Sequence, residues 1–176
     1  EGIYGIPIYV SSTYIFLFIL FGTFLEQAGM IKLFTDFSLG TVGHTRGGPA
    51  KVAVVASGLM GTINGSGVAN VVTTGQFTIP LMKRFGYRAE FAGGVEATSS
   101  MGGQIMPPVM GAVAFIMAET IGVPYVDIVK AATIPALLYF ATAFWMVHLE
   151  AGRLHLLGIP KSECPNAWAA VKKNWH

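Results

Sequence analysis

Between Val52 and Met82 the chain reads VAVVASGLMGTINGSGVANVVTTGQFTIPLM, 31 residues without an Asp, Glu, Lys or Arg. As one straight helix this stretch would run roughly 46 Å, well beyond the ~30 Å hydrocarbon core of a bilayer. Its middle, Thr62-Ile63-Asn64-Gly65-Ser66-Gly67, is turn chemistry: Gly permits a positive φ, and Asn and Ser supply local side-chain bonds. Two arms of about 14 residues would each reach only about 21 Å. The stretch therefore predicts a re-entrant helical hairpin, residues 51–83, with its tip near the middle of the membrane. The alternative is one long tilted helix with a small-residue packing face, since Gly61 and Gly65 form a GxxxG.

The charges around this stretch favour the hairpin. Three further uncharged windows occur, Gly2 to Leu25, Ala97 to Ala118 and Ala131 to Leu149, each near the roughly 20 residues that a crossing needs. Lys32, Arg46 and Lys51 precede the central stretch; Lys83, Arg84 and Arg88 follow it; Arg153, Lys161, Lys172 and Lys173 follow the last window; only Lys130 lies between the last two. Basic loops stay on the cytoplasmic side. Four simple crossings would put the loops before and after residues 52–82 on opposite sides, yet both are basic. A hairpin that enters and leaves from one side removes the conflict.

The expected organisation is an all-α membrane protein. Residues 1–29 form a transmembrane helix and residues 30–50 an amphipathic arm along the cytoplasmic interface. Residues 51–83 form the hairpin, 89–121 a discontinuous transmembrane helix, 131–150 a further transmembrane helix, and 151–176 a cytoplasmic connector with Pro160 and Pro165 as breakers. The discontinuity is read from Ser99-Ser100-Met101-Gly102-Gly103-Gln104-Ile105-Met106-Pro107-Pro108. Two Gly suit a helix stop, and Pro removes a donor and suits the first turn of a new helix. The expected halves are Ala89 to Met101 and Pro107 to Ile121; an ordinary Pro-kinked span is the alternative.

Composition agrees. Of 176 residues, 53% are hydrophobic and only 11% charged, against about 25% charged in a soluble domain; the mean hydropathy is +0.59. The single cysteine, Cys164, excludes a disulfide framework and a cysteine-rich metal site. A net charge of +2 is too small to suggest a nucleic-acid partner. The chain starts at Glu1 and is expected to be an internal piece of a longer polypeptide.

Backbone opened within a bilayer is tolerated only inside protein or beside a wet cavity. Two breaks near the midplane offer helix C-termini near Thr62 and Met101, whose carbonyls suit a cation such as sodium. They also offer N-termini near Val68 and Pro108, whose amides suit a carboxylate. That pairing is how many secondary transporters hold an anion beside its coupling ion, so the residues point to a cation-coupled carrier of a small organic anion. Ser66, Asn70, Gln104 and Pro107 are the candidate substrate-binding residues.

Glu96 is an intramembrane acid, a functional candidate by default. It orders the cavity, binds a proton or faces water; or it lies near the interface, paired with Arg88 or Lys83. Asn70, Thr73, Thr74 and Gln76 continue a polar face down the second arm, lining a pathway or bonding across helices. His44, His148, His155 and His176 fall in loops, at a span end or in the tail.

At these motifs the chain resembles the large membrane subunit of tripartite ATP-independent periplasmic (TRAP) transporters, most of all the fused-permease form, in which the small and large subunits are one chain. The matching stretches are Ser11 to Phe18 (SSTYIFLF), Asn64 to Val71 (NGSGVANV), Ile79 to Tyr87 (IPLMKRFGY) and Gly102 to Gly111 (GGQIMPPVMG). The last two are specific, the first weak alone. The resemblance implies an elevator-type carrier of two inverted repeats, of which this chain holds the first. It also implies a periplasmic substrate-binding protein that delivers the ligand, a small membrane subunit, uptake driven by sodium, often of carboxylates, and location in the inner membrane. Carried over by position, the sodium site is Asn64, Gly65, Ser66 and Gly67 with Ser99, Ser100, Gly102 and Gly103; Asn70 belongs to the same region. Many members carry a second hydroxyl residue where Gly67 stands here, so coordination would lean on backbone carbonyls. No cofactor and no enzymatic activity are implied.

Other classes fit less well. Glu96-Ala97-Thr98 with Gly102 faintly echoes the docking loop of ABC-type permease subunits, but the continuation fails and the segment is apolar. No Walker-type phosphate loop occurs. An intramembrane hydrolase needs a base near its Ser, and Ser66, Ser99 and Ser100 have no His in their spans. A purely structural membrane subunit would tolerate polar substitutions at both breaks.

Overall fold

The structure, a computed structural model, describes residues 4–160 and Cys164. The expected connector beyond Pro160, with Pro165 and the last lysines, lies outside the described residues.

The architecture is all-α. Helix α1, Ile6–Gln27, widens into a π-helical turn at Ser11–Ile15, where Ser12 and Thr13 both donate to Tyr9 O. Helix α2 is Met30–Val42, α3 Gly48–Asn64 and α4 Gly67–Arg84. Helix α5 is Ala89–Met101, followed by one 3-10 turn, Gly102–Ile105. Helix α6 is Ala112–Ile121 and α7 Tyr125–Arg153. Among the described residues, α1 and α7 are long and apolar enough to cross a membrane as single helices.

The central stretch is a helical hairpin and not one rod. Helix α3 stops because Gly65 adopts φ +58°, a left-handed geometry that ends helices and suits Gly. Extended Ser66 then caps α4, its Oγ accepting from Ala69 N at 3.3 Å. The arms lie side by side, since Ser57 and Thr74, far apart in sequence, bond at 3.2 Å. The first arm begins at Gly48, with Pro49 in its first turn, so Lys51 lies inside it. The arms have 17 and 18 residues, or about 26 Å each.

Helix α3 is the hub. Its small residues Ala50, Ala53, Ala56, Ser57, Gly58 and Gly61 are buried, and it packs against α1, α2, α4, α5, the 3-10 turn and α7. A helix surrounded by others needs small residues on every face for close approach. One core joins Ala53, Val54, Met82, Ala92, Val147 and Ala151. A smaller one joins Met110, Ala114, Ala118 and Ile128.

The loops on either side of the hairpin meet at one end of the molecule, against the C-terminal end of α7. A Cβ built on Gly47 would lie 2.5 Å from Ala151 Cβ and 3.1 Å from the Tyr87 hydroxyl. Arg46 donates to Gly152 O at 2.8 Å, and Ile159 N donates to Gly43 O at 2.9 Å.

The discontinuous helix opens further than expected. The second half starts at Ala112, not at Pro107. Two consecutive prolines hold Pro107 away from helical geometry, and Met110 sits at φ +56°. The link is closed instead by Gly111 N donating to Gln104 O at 2.8 Å. From outside, the Tyr125 hydroxyl bonds Val109 O at 2.6 Å and Pro108 O at 3.0 Å.

Candidate functional site

The two interruptions face each other. A Cβ on Gly61 would lie 2.3 Å from Gly103 Cα, and one on Gly65 would lie 1.7 Å from Met110 O. Real Cβ contacts are never that short, so the hairpin tip touches the link backbone to backbone. Gly67 is held less tightly, chiefly by side chains, with Met101 Sδ at 2.5 Å and Gln104 Nε2 at 3.0 Å from its Cβ position.

The residues singled out in the sequence fall into three places. Asn64, Gly65, Ser66, Gly67, Asn70, Gly103 and Gln104 gather where tip and link meet. Asn64 Oδ1 accepts from Ser66 N at 3.3 Å, while its Nδ2 is buried with no hydrogen-bond partner. Gly103 packs against Asn70, whose Nδ2 lies 3.1 Å from the Gly103 Cβ position. Gln104 is half-buried, its Nε2 lying 3.7 Å from Met101 Sδ. Pro107, also half-buried, belongs to the same link.

Ser99 and Gly102 turn toward α7. Gly102 packs on the Tyr139 ring, 2.4 Å from its Cβ position. Ser99, buried with an unpaired hydroxyl, lines an apolar groove between α5 and α7 with Phe91, Val95 and Tyr139.

Ser100 belongs to a third group, built around Glu96. The Glu96 side chain is fully buried and, among the described residues, forms no ion pair; Arg88 pairs with Glu90 instead, at 3.6 Å. The interfacial pairing with Arg88 or Lys83 is therefore not the arrangement found. The carboxyl group receives four hydroxyls from three helices. Oε1 accepts from Ser57 at 3.2 Å, Thr74 at 2.5 Å and Ser100 at 2.9 Å, and Oε2 accepts from Thr78. Asn70 extends the group, donating to Ser57 O at 2.8 Å. Gly75 leaves room for the acid, its Cβ position being 3.2 Å from Glu96 Cγ. A buried charge is costly unless its lone pairs are satisfied, and this ring of hydroxyls satisfies them.

The polar face of α4 divides accordingly. Thr74 bonds across helices, Thr73 returns to Ala69 O of its own helix, and Gln76 is exposed. Sequence reasoning missed Thr78, Ser57 and Tyr125. Thr78 had a signal, because Asn70, Thr74 and Thr78 are spaced by four and share one helical face. Ser57 and Tyr125 had none, since what each meets is fixed by packing. Tyr125 also stacks on Phe115 at 4.3 Å, and Phe115 on Tyr14 of α1 at 6.0 Å, so an aromatic column ties α1 to the residue that holds the link.

Chemically, the tip and link present helix-end carbonyls and amides and neutral polar side chains. Among the described residues no nucleophile–base pair lies at the tip or the link. Among the described residues no cluster of His, Cys, Asp and Glu is fit to hold a transition metal.

Comparison with known proteins bears on this geometry. Residues 6–176 match the family described as "Tripartite ATP-independent periplasmic transporter, DctM component". The chain is 30% identical over 156 residues to the C4-dicarboxylate TRAP transporter large permease protein DctM of Pseudomonas aeruginosa, covering 89% of this chain and 36% of that protein. It is 27% identical over 158 residues to the sialic acid TRAP transporter large permease protein SiaM of Vibrio cholerae, covering 89% and 36%. It is 26% identical over 151 residues to the 2,3-diketo-L-gulonate TRAP transporter large permease protein YiaN of Escherichia coli, covering 86% and 35%. The chain thus spans about a third of the length of each of these relatives.

Proposed function

The chain belongs to the DctM-component family of tripartite ATP-independent periplasmic transporters, a family of membrane permeases and not of enzymes, and from that premise we propose that it is part of a sodium-coupled permease. The cargo is a small organic anion, a carboxylate, delivered by a periplasmic substrate-binding protein. The observation that carries this reading is the direct contact of the two backbone breaks, Gly61 on Gly103 and Gly65 on Met110. Helix-end carbonyls at Asn64, Gly65, Ser99, Ser100, Gly102 and Gly103, with the side chains of Ser66 and Asn70, supply oxygens of the kind a bare sodium ion takes. The N-terminus of α4 at Ser66 and Gly67, beside Gln104 and Pro107, offers amides to a carboxylate. Dicarboxylate, sialic acid and diketogulonate, the ligands in the relatives' names, all carry carboxylates, which favours this class of cargo.

In this reading α1 and α7 cross the bacterial inner membrane, α5 and α6 cross it as one broken helix, and the hairpin is re-entrant from the cytoplasm. The meeting of Gly47, Tyr87 and Ala151 at one end supports a common side for both hairpin loops. Arg46, Lys83, Arg84, Arg88 and Arg153 all belong to that end, as cytoplasmic loops favour. Helix α2 lies along the interface, a small membrane subunit completes the membrane complex, and the second half of an elevator-type carrier completes the site.

Uptake of radiolabelled organic acids into proteoliposomes, with the full-length permease and its binding protein, tests the reading. Stimulation by an inward sodium gradient is expected. Uptake indifferent to sodium, or dependent on ATP, overturns it.

A further inference from the structure

We infer that Glu96 is a positioning residue: by gathering the hydroxyls of both hairpin arms and of α5, it fixes Asn70 for the ion site at the tip. This rests on the tip being that site, as argued above.

Hydroxyls within these helices ordinarily return to their own backbone, as Thr13, Thr23, Thr35, Thr133 and Thr142 do, each to the carbonyl four residues earlier. Ser57 and Ser100 do not. Ser57 Oγ meets Thr74 and Glu96, and Ser100 Oγ meets Glu96 and, at 3.5 Å, Ser57. Interhelical adhesion alone would need no acid, since a Gln bonds across helices without the cost of a buried charge. What a carboxylate adds is that it only accepts. Ser57 and Ser100 give it their protons, whereas Thr74 and Thr78 share theirs with Asn70 O at 2.7 Å and Thr74 O at 3.0 Å.

Thr74 shows the consequence. Its Oγ1 lies 2.5 Å from Glu96 Oε1 and 3.4 Å from Asn70 Oδ1. Its own backbone acceptor, Asn70 O, lies at 2.7 Å, so the proton is shared between Glu96 and that carbonyl, Asn70 Oδ1 keeps its lone pairs, and Asn70 Nδ2 is anchored on Ser57 O and lies against Gly103. A Gln at position 96 that turned its NH2 toward these hydroxyls would release Ser57 from the carboxyl group, loosening the arm whose carbonyl, Ser57 O, anchors Asn70 Nδ2, while the Thr74 proton would fall back to Asn70 O at 2.7 Å. The acid thus acts on the tip through Thr74, Ser57 and Asn70 without touching the ion.

The test compares Glu96→Gln, Glu96→Asp and the near-isosteric Thr74→Val in the full-length permease in proteoliposomes, with sodium varied at saturating cargo. Glu96→Gln and Thr74→Val are expected to raise half-saturating sodium about tenfold, the equilibrium worth of one hydrogen bond to a charged group. The maximal rate at saturating sodium should stay within about twofold, because the cargo contacts are untouched. Glu96→Asp, too short to reach both arms, should do the same or worse. Unchanged half-saturating sodium in Glu96→Gln overturns the inference, and so does a change in maximal rate alone. If Glu96→Gln does not fold, Thr74→Val decides by the same criterion. Hydrogen exchange in detergent without sodium separates this from failure of the tip reading. Should unmodified protein ignore sodium, the ion site itself is wrong, and faster exchange at residues 57–74 and 96–105 in Glu96→Gln then reports the clamp by itself; unchanged exchange there leaves no clamp.

Discussion

Gly61 of the first hairpin arm and Gly103 of the 3-10 turn meet with no side chain between them. A methyl group on Gly61 would sit 2.3 Å from Gly103 Cα, and one on Gly103 2.9 Å from Gly61 Cα. The contact fixes how far the hairpin tip stands from the opened link, and so the size of whatever lies between.

Gly61→Ala and Gly103→Ala should each push the two backbones apart, at about 1–3 kcal/mol for overpacking a closed contact. Thermal unfolding in detergent should show the loss, and uptake should fall more than expression. Gly93→Ala is the control: nothing lies within 4 Å of its Cβ position, so stability should hold or rise by up to about 1 kcal/mol.

Gly102→Val should abolish transport by a different clash. Its Cβ would meet the Tyr139 ring at 2.4 Å and Phe140 at 2.9 Å, forcing the 3-10 turn off α7. Normal uptake by this variant would separate the turn from the transport site.

Ser66→Ala combined with Asn70→Ala removes the cap of α4 and the anchor on Ser57. Half-saturating sodium should rise about tenfold or more, each lost ion contact of about 1 kcal/mol counting about fivefold. Expression should fall far less. Unchanged sodium dependence would remove the tip from the ion site.

Tyr125→Phe keeps the stack on Phe115 and deletes the donor to Val109 O and Pro108 O. Val109 is buried, so its carbonyl loses its partner at about 1–3 kcal/mol. Faster hydrogen exchange across residues 106–111 and slower uptake are expected, with the helical content unchanged by circular dichroism.

Tyr87→Phe should be silent or mildly stabilising near neutral pH. The Tyr87 hydroxyl is buried without a hydrogen-bond partner, and removing an unsatisfied polar group is worth up to about 1 kcal/mol. Burial and the neighbouring Glu150 carboxylate push the phenol from 10.0 up to about 12. The folded state therefore holds its proton longer than the unfolded chain, and stability falls as pH rises from 10.0 to about 12. Alkaline unfolding should be less steep in Tyr87→Phe than in unmodified protein.

The turn at Gly65 was legible because only a few residues tolerate a left-handed φ, and Asn64-Gly65-Ser66-Gly67 supplied them in an uncharged stretch too long for one crossing. The interruption after Met101 was legible for the same local reason. The restart was not: Pro107 suits a first helical turn in isolation, yet the link stays open to Gly111, closed by Gln104 and the distant Tyr125. The acid at Glu96 was visible as an oddity, but both its burial and the hydroxyls it gathers depend on the register of α3 and α4 against α5.

By itself, then, the sequence determined where the chain bends, which segments shun charge and which family it joins, because glycine and proline act on their own backbone and the scarcity of charge needs no neighbour to be read. Packing between helices sets the rest: the two breaks touch, Ser99 and Gly102 look toward α7 while Ser100 looks toward Glu96, and Ser57, Thr74 and Thr78 converge on one carboxyl group. Those outcomes turn on the rotation of one helix about its axis against the next, where a single residue shifts a side chain by about 100° and only packing fixes which face is inside.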